Sequence, residues 1–101
     1  MRAFPARTYP MMTPGAALAE ACRSTRRHGA PLRAVELARR LGYTSKHINE
    51  VLHDKAPIST DMALRLEFVL EPPARYWLDL QREYDLARAR IEQLKRTEIP
   101  Q

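Results

Sequence analysis

A single cysteine, Cys22, leaves this chain without an internal disulfide framework and fits a reducing compartment. Its simplest role is that of a small core residue. Nowhere do about 18 apolar residues run together, and the first residues carry no apolar run of signal-peptide length, so neither a membrane-spanning helix nor an export signal is expected. The expected location is cytoplasmic. Gly15, Gly29 and Gly42 are the only glycines, too sparse for a glycine-rich phosphate loop. Strand-like alternation, internal repeats and low-complexity tracts are all missing. His28, His47 and His53 make no metal set: His47 and His53 stand on different faces of a helix, and no cysteine or carboxylate completes a tetrahedron. Asp79, Glu83 and Asp85 are intermixed with Arg82 and Arg88, the pattern of a solvated helix surface rather than a catalytic carboxylate pair. No serine or cysteine has a base at a recognisable spacing. The sequence therefore predicts no enzyme, no metal and no cofactor.

What is present is helix. The 101 residues, 45% hydrophobic and 29% charged, suit one small globular domain. The net charge of +5 suits a polyanionic partner, and its distribution says more than its size. Residues 1–40 hold eight arginines (Arg2, Arg7, Arg23, Arg26, Arg27, Arg33, Arg39, Arg40) against Glu20 and Glu36, a net +6. Residues 61–101 hold seven basic and eight acidic side chains, a net −1.

The most specific pattern is LRAVELARRLGYTSKHINEVLHDK, residues 32–55. Ala34, Leu37, Ala38 and Leu41 recur at i, i+3, i+4 and i+7, one apolar stripe of a helix. Gly42 follows where a helix that must stop at once needs a left-handed residue. Thr44 or Ser45 can cap a second helix, which turns Ile48, Val51 and Leu52 inward and Lys46, Asn49, Glu50 and His53 outward. A small residue at the crossing (Ala38), a glycine four residues on and a second cap are more than a generic helical hairpin needs. The spacing predicts a DNA-binding helix-turn-helix over about 32–53.

Around it, residues 1–12 contain Pro5 and Pro10 with no helical period and are expected to be a flexible tail preceding a domain over 13–101. Thr13 with Pro14 opens a first helix expected to run to His28, stopped by Gly29, with Leu18, Ala21, Cys22 and Thr25 inward. Ser59 caps a fourth helix buried through Met62, Ala63, Leu66, Val69 and Leu70; Glu71-Pro72-Pro73 stops it. The fifth is expected over about 73–96. On it Trp77, Leu80, Tyr84, Ala87, Ile91 and Leu94 step by 3, 4, 3, 4 and 3, a heptad seam. A helix of that length spans ~35 Å, about the width of the whole domain, so its second half is expected to overhang. Tyr84, Ala87, Ile91 and Leu94 are then the candidate dimer seam, with a second copy of the chain as partner. The first helix is the other candidate dimer surface.

Three segments carry a family resemblance: Pro14-Gly15 with Leu18, the motif at 37–52 ending HINEVL, and ISTDMALRLEFVL (58–70) followed by YWLDLQREYDLARA (76–89). Together they cover about three quarters of the chain. On them the chain resembles the HigA-type antitoxins, a branch of the Xre/Cro-like helix-turn-helix proteins. The resemblance implies an all-α, five-helix domain with an extended C-terminal helix. It also implies a dimeric, cytoplasmic transcriptional repressor of its own operon that silences a RelE-like, mRNA-cleaving toxin in a toxin-antitoxin system. The base-reading positions it implies are Thr44, Ser45, Lys46 and Glu50, with Asn49 alongside; Lys46 can donate to guanine and Glu50 can accept from cytosine. Arg33, Arg39, Arg40, His53 and Lys55 are the candidate phosphate contacts. The partners implied are double-stranded operator DNA, a second copy of the chain and a protein toxin. The chain departs from the family in a longer segment between Leu18 and Leu37, in His53-Asp54-Lys55 where Asn-Gly-Lys is usual, and in Glu71-Pro72-Pro73 where a glycine is usual. Two alternatives stand beside this reading: a stand-alone or phage-type Xre/Cro repressor without a toxin, and a protein-interaction module that has lost DNA binding.

Overall fold

The computed structural model describes residues 12–25 and 29–98. The proposed tail, except for Met12, lies outside the described residues. Five helices follow in order: α1 (Pro14–Ser24), α2 (Ala34–Leu41), α3 (Ser45–Leu52), α4 (Thr60–Val69) and α5 (Ala74–Glu98). The fold is all-α; no strand occurs among the described residues.

The core is built by the stripes that the helical period picks out. Leu18 and Cys22 of α1, Leu37, Ala38 and Leu41 of α2, Ile48 and Val51 of α3, and Met62, Ala63 and Leu66 of α4 are buried, with Leu70 and Trp77 fully enclosed. Burial of side chains of this size contributes about 1.5–3 kcal/mol each relative to exposure. The Trp77 indole donates its Nε1–H to the Pro72 carbonyl at 3.3 Å, so the largest side chain of the core leaves no orphaned donor. α2 packs on α3 and α4, α1 on α3 and α5, and α4 on α5.

α1 is shorter than its sequence pattern suggests. It ends at Ser24, and Thr25 is extended (φ −66°, ψ 142°) rather than helical. The Cys22 carbonyl accepts the Leu32 N–H at 3.0 Å, a bond from the following segment. Thr25 is still buried, so its inward placement holds although it leaves the helix. Residues 26–28, where the longer helix was expected, lie outside the described residues.

The start of α5 is fixed from a distance. The Glu67 carboxylate on α4 accepts the Ala74 N–H at 2.6 Å. A carboxylate there also complements the positive end of the helix dipole. Beyond Tyr84, which is half-buried, every residue of α5 from Asp85 to Thr97 is exposed.

Candidate nucleic-acid interface

The turn of the motif follows from two glycine-free helices meeting at one glycine. α2 stops because Gly42 takes φ 83°, and the N–H groups of Gly42 and Tyr43 both donate to the Ala38 carbonyl, at 2.9 and 3.0 Å. Thr44 is the N-cap of α3: its Oγ1 accepts the His47 N–H at 3.0 Å, which settles the choice left between Thr44 and Ser45. α3 docks on the body through Ile48 and Val51, both completely buried. That rotation turns Ser45, Lys46 and Asn49 to solvent, with Glu50 half-exposed beside them.

The five candidate base-reading residues therefore lie at the N-terminus and on one exposed face of a single helix. Three have prior commitments, Thr44 through the cap just described. Asn49 donates its side-chain amide to the Ser45 carbonyl at 3.0 Å, one turn back. The Glu50 carboxylate lies 4.0 Å from the His47 ring, close enough for mutual attraction when that ring is protonated. Lys46 is exposed on the same face.

The candidate phosphate contacts divide into two groups. Arg33 is the N-cap residue of α2, His53 is the C-cap of α3 and Lys55 follows two residues later, so these three stand at or just beyond helix termini. Arg39 and Arg40 sit in the last turn of α2 and both engage Glu36, at 2.6 and 2.9 Å. The hydrogen bond from Arg39, aided by the two positive charges, holds the Glu36 carboxyl below the ordinary carboxylate range. Exposed pairs of this kind are weak, screened by solvent and salt, so a phosphate can compete for either arginine.

The left-handed geometry at Asp54, where the family usually has glycine, follows from the resemblance; two sets of side-chain contacts do not, and they hold α3 at its two ends. At its C-terminus, Asp54 adopts φ 60°, with its N–H donating to the Val51 carbonyl at 3.0 Å and the Lys55 N–H to Glu50 at 2.8 Å. The left-handed residue that usually closes such a helix is glycine. Here the Asp54 side chain offsets the conformational cost: its Oδ1 accepts the Gly15 N–H, in the first turn of α1, at 2.8 Å. At the N-terminal end, Tyr43 donates its hydroxyl to Asp61 on α4 at 2.5 Å, and Asp61 also holds Arg65 at 3.0 Å. Arg65 donates to the Leu41 carbonyl at 2.8 Å and lies over the Tyr43 ring, 5.1 Å from its centroid. Partial burial, then the hydrogen bond to Asp61 and its charge, keep the Tyr43 phenol protonated above its ordinary range.

The candidate dimer seam lies on another helix, α5. Tyr84 is half-buried, with the Arg88 guanidinium 5.6 Å over its ring, while Ala87 is exposed and Ile91 and Leu94 are 53% and 61% exposed. Tyr76, not assigned to the seam from sequence, is 41% exposed and lies about five turns before Leu94 on the same side of the helix. Among the described residues no group of three His, Cys, Asp or Glu could hold a metal ion, and no helix is long and apolar enough to cross a membrane.

A short helix exposed on its polar face, following a glycine turn and a helix that braces it, defines a helix-turn-helix domain. Solved structures place that domain in a family. The Pseudomonas aeruginosa antitoxin HigA, solved with the higBA promoter, is 31% identical, with 86% of this chain and 90% of that one covered and a TM-score of 0.69. PA4674 of the same organism, solved with a 28-bp operator DNA, is 30% identical over 89% of this chain and 98% of its own, with a TM-score of 0.71. A HigA-family addiction-module antidote protein from Coxiella burnetii is 28% identical over 89% and 96%, with a TM-score of 0.71. No protein-family model and no curated protein matches the sequence. At this identity and coverage the chain belongs to the HigA family of antitoxins.

Proposed function

We propose that this chain is a sequence-specific DNA-binding repressor of its own operon and the antitoxin of a type II pair, neutralising a RelE-like, mRNA-cleaving toxin. The observation that carries the DNA half is the exposed polar face of α3, with Ser45, Lys46, Asn49 and Glu50 side by side at the end of a fixed turn. Relatives solved with promoter or operator DNA support it. In this reading α3 enters the major groove, Lys46 and Glu50 discriminate bases, and Arg33, His53 and Lys55 neutralise phosphates on either side. A glutamate close to phosphates is repulsive unless it accepts a hydrogen bond from a base, so Glu50 favours specific over generic binding.

One domain of this kind reads about half of a two-fold operator, and two reader helices must lie about 34 Å apart. A homodimer through Tyr84, Ala87, Ile91 and Leu94 would supply the second α3 and cover the apolar surface of Ile91 and Leu94 that the domain leaves in water. The test has two arms. The protein should shift DNA taken from upstream of its own gene, and it should co-purify with, and restore growth against, the product of the neighbouring gene. Failure of the first arm removes the repressor; failure of the second leaves a stand-alone regulator.

A further inference from the structure

α3 is only eight residues long, about 12 Å, and only two of its side chains, Ile48 and Val51, are fully buried. Leu52 adds a half-buried contact at the C-terminal end, so the apolar anchoring is weighted away from the N-terminal turn of the helix. A tilt of about 10° would displace the far end of such a helix by about 2 Å, whereas hydrogen-bonded recognition tolerates about 0.5 Å. Something other than apolar packing must fix the end that carries Thr44, Ser45 and Lys46.

The cluster at the turn has the connectivity for that task. Arg65 donates to the Leu41 carbonyl, one of the four that the end of α2 leaves without a helical partner. The same guanidinium holds Asp61 and covers the Tyr43 ring. Tyr43 closes the loop through its hydroxyl to Asp61 and packs against His47, ring centroids 5.3 Å apart, on the first turn of α3. One planar cation thus ties the last carbonyl of α2, the residue before the α3 cap and the body of α4. Lysine, with a compact ammonium, cannot reproduce that fork. The site is half-exposed, with the Arg65 side chain 47% and that of Asp61 60% accessible, so it contributes little to overall stability. Its value lies in geometry.

We infer that Tyr43 and Arg65, bridged by Asp61, are positioning residues for operator recognition: they set the angle at which α3 presents Ser45 and Lys46 to the bases. The inference rests on the DNA-reading role proposed for α3. It separates from two other roles for Arg65. A phosphate contact would lower affinity for all sequences and reduce the salt slope by about one per charge removed. A purely stabilising residue would weaken specific and non-specific binding together.

The experiment is selection from a random-sequence duplex library with the full chain, followed by titration of the enriched duplex and its scrambled counterpart over a range of salt. Tyr43→Phe keeps the ring and loses only the hydroxyl bond; Arg65→Lys keeps the charge and loses the fork; Arg65→Gln loses the charge as well. Each should stay folded by circular dichroism. Each should lower the specific-to-scrambled affinity ratio by about tenfold, the size of one lost base contact, with affinity for scrambled DNA and the salt slope unchanged. Asp61→Asn, which still accepts from Tyr43, should retain more of the ratio than Asp61→Ala. Unchanged base preference in both Tyr43→Phe and Arg65→Lys overturns the inference, as does a salt slope reduced by about one in Arg65→Gln. A wild-type chain that enriches no sequence overturns the DNA-reading proposal, and this inference with it.

Discussion

Asp54 and Gly15, 39 positions apart in the chain, share a 2.8 Å hydrogen bond that joins the end of α3 to the first turn of α1. The approach is closer still at the backbone: a Cβ on Gly15 would stand 2.3 Å from the Leu52 carbonyl oxygen. Gly15 is thus required for contact, not for an unusual φ. Gly15→Ala should destabilise the domain by about 2 kcal/mol or more, since backbone rather than a side-chain tip must move. Asp54→Ala loses the bond and keeps the left-handed strain, at about 1–3 kcal/mol, while Asp54→Asn keeps both the acceptor and a residue that tolerates φ > 0 and should cost under about 0.5 kcal/mol. Urea denaturation midpoints rank the three; equal losses in the two Asp54 variants would show that the hydrogen bond contributes nothing.

Burial pushes the Cys22 thiol up from 9.0 to about 11, against a smaller opposing effect of Arg23. A folded-state pKa raised above the unfolded one gives a contribution that is complete below about pH 9 and is lost as pH rises toward 11. Stability of the wild type should fall more steeply over that window than stability of Cys22→Ala. Iodoacetamide at pH 8 should label the native protein slowly and the urea-unfolded protein fast; rapid native labelling would contradict the burial.

Arg33 and Lys55 should behave as phosphate contacts. Replacing either with alanine should weaken binding to all sequences alike and reduce the salt slope by about one. Arg39, already engaged by Glu36, should have a smaller effect. Titrations at several salt concentrations measure all three, and a change in base preference would assign the residue to the reader face instead.

Ile91 and Leu94, more than half exposed at the far end of α5, should be covered by a second copy. Replacing both with aspartate should give a folded monomer with weakened operator affinity, read by sedimentation equilibrium. A double variant that remains a dimer would move the interface to another surface, α1 first. Tyr76→Asp, at the proximal end of the same face, extends the test.

How much of this was legible in the sequence depends on distance along the chain. The turn at Gly42, the caps at Thr13, Thr44 and Ser59 and the buried stripe of each helix rest on interactions within a few residues, and periodicity reads those directly. The hydrogen bonds supplied from elsewhere leave no local signal: Asp54 to Gly15, Glu67 to Ala74, and the buried Gln81 side chain, whose Oε1 accepts the N–H of loop residue Ile58 at 2.9 Å. Nothing in local spacing marks a polar side chain for such a bond. The end of α1 was misread for a related reason. Gly29 drew the boundary toward itself, but Arg26, Arg27 and His28 offer no apolar group to bury, and the Cys22 carbonyl is taken by Leu32. The outward face of α3 was legible because its apolar positions fix its rotation; the braces that hold its angle, Tyr43, Asp61 and Arg65, needed the fold.

If α3 reads bases through Lys46 and Glu50, the base preference of Lys46→Ala and Glu50→Ala, selected from random duplex DNA, must change. Each variant should lose about 1–3 kcal/mol of discrimination at its own operator position, with relaxed preference there and unchanged preference elsewhere. Two variants that select the wild-type sequence with undiminished affinity would contradict the account and place recognition on another element.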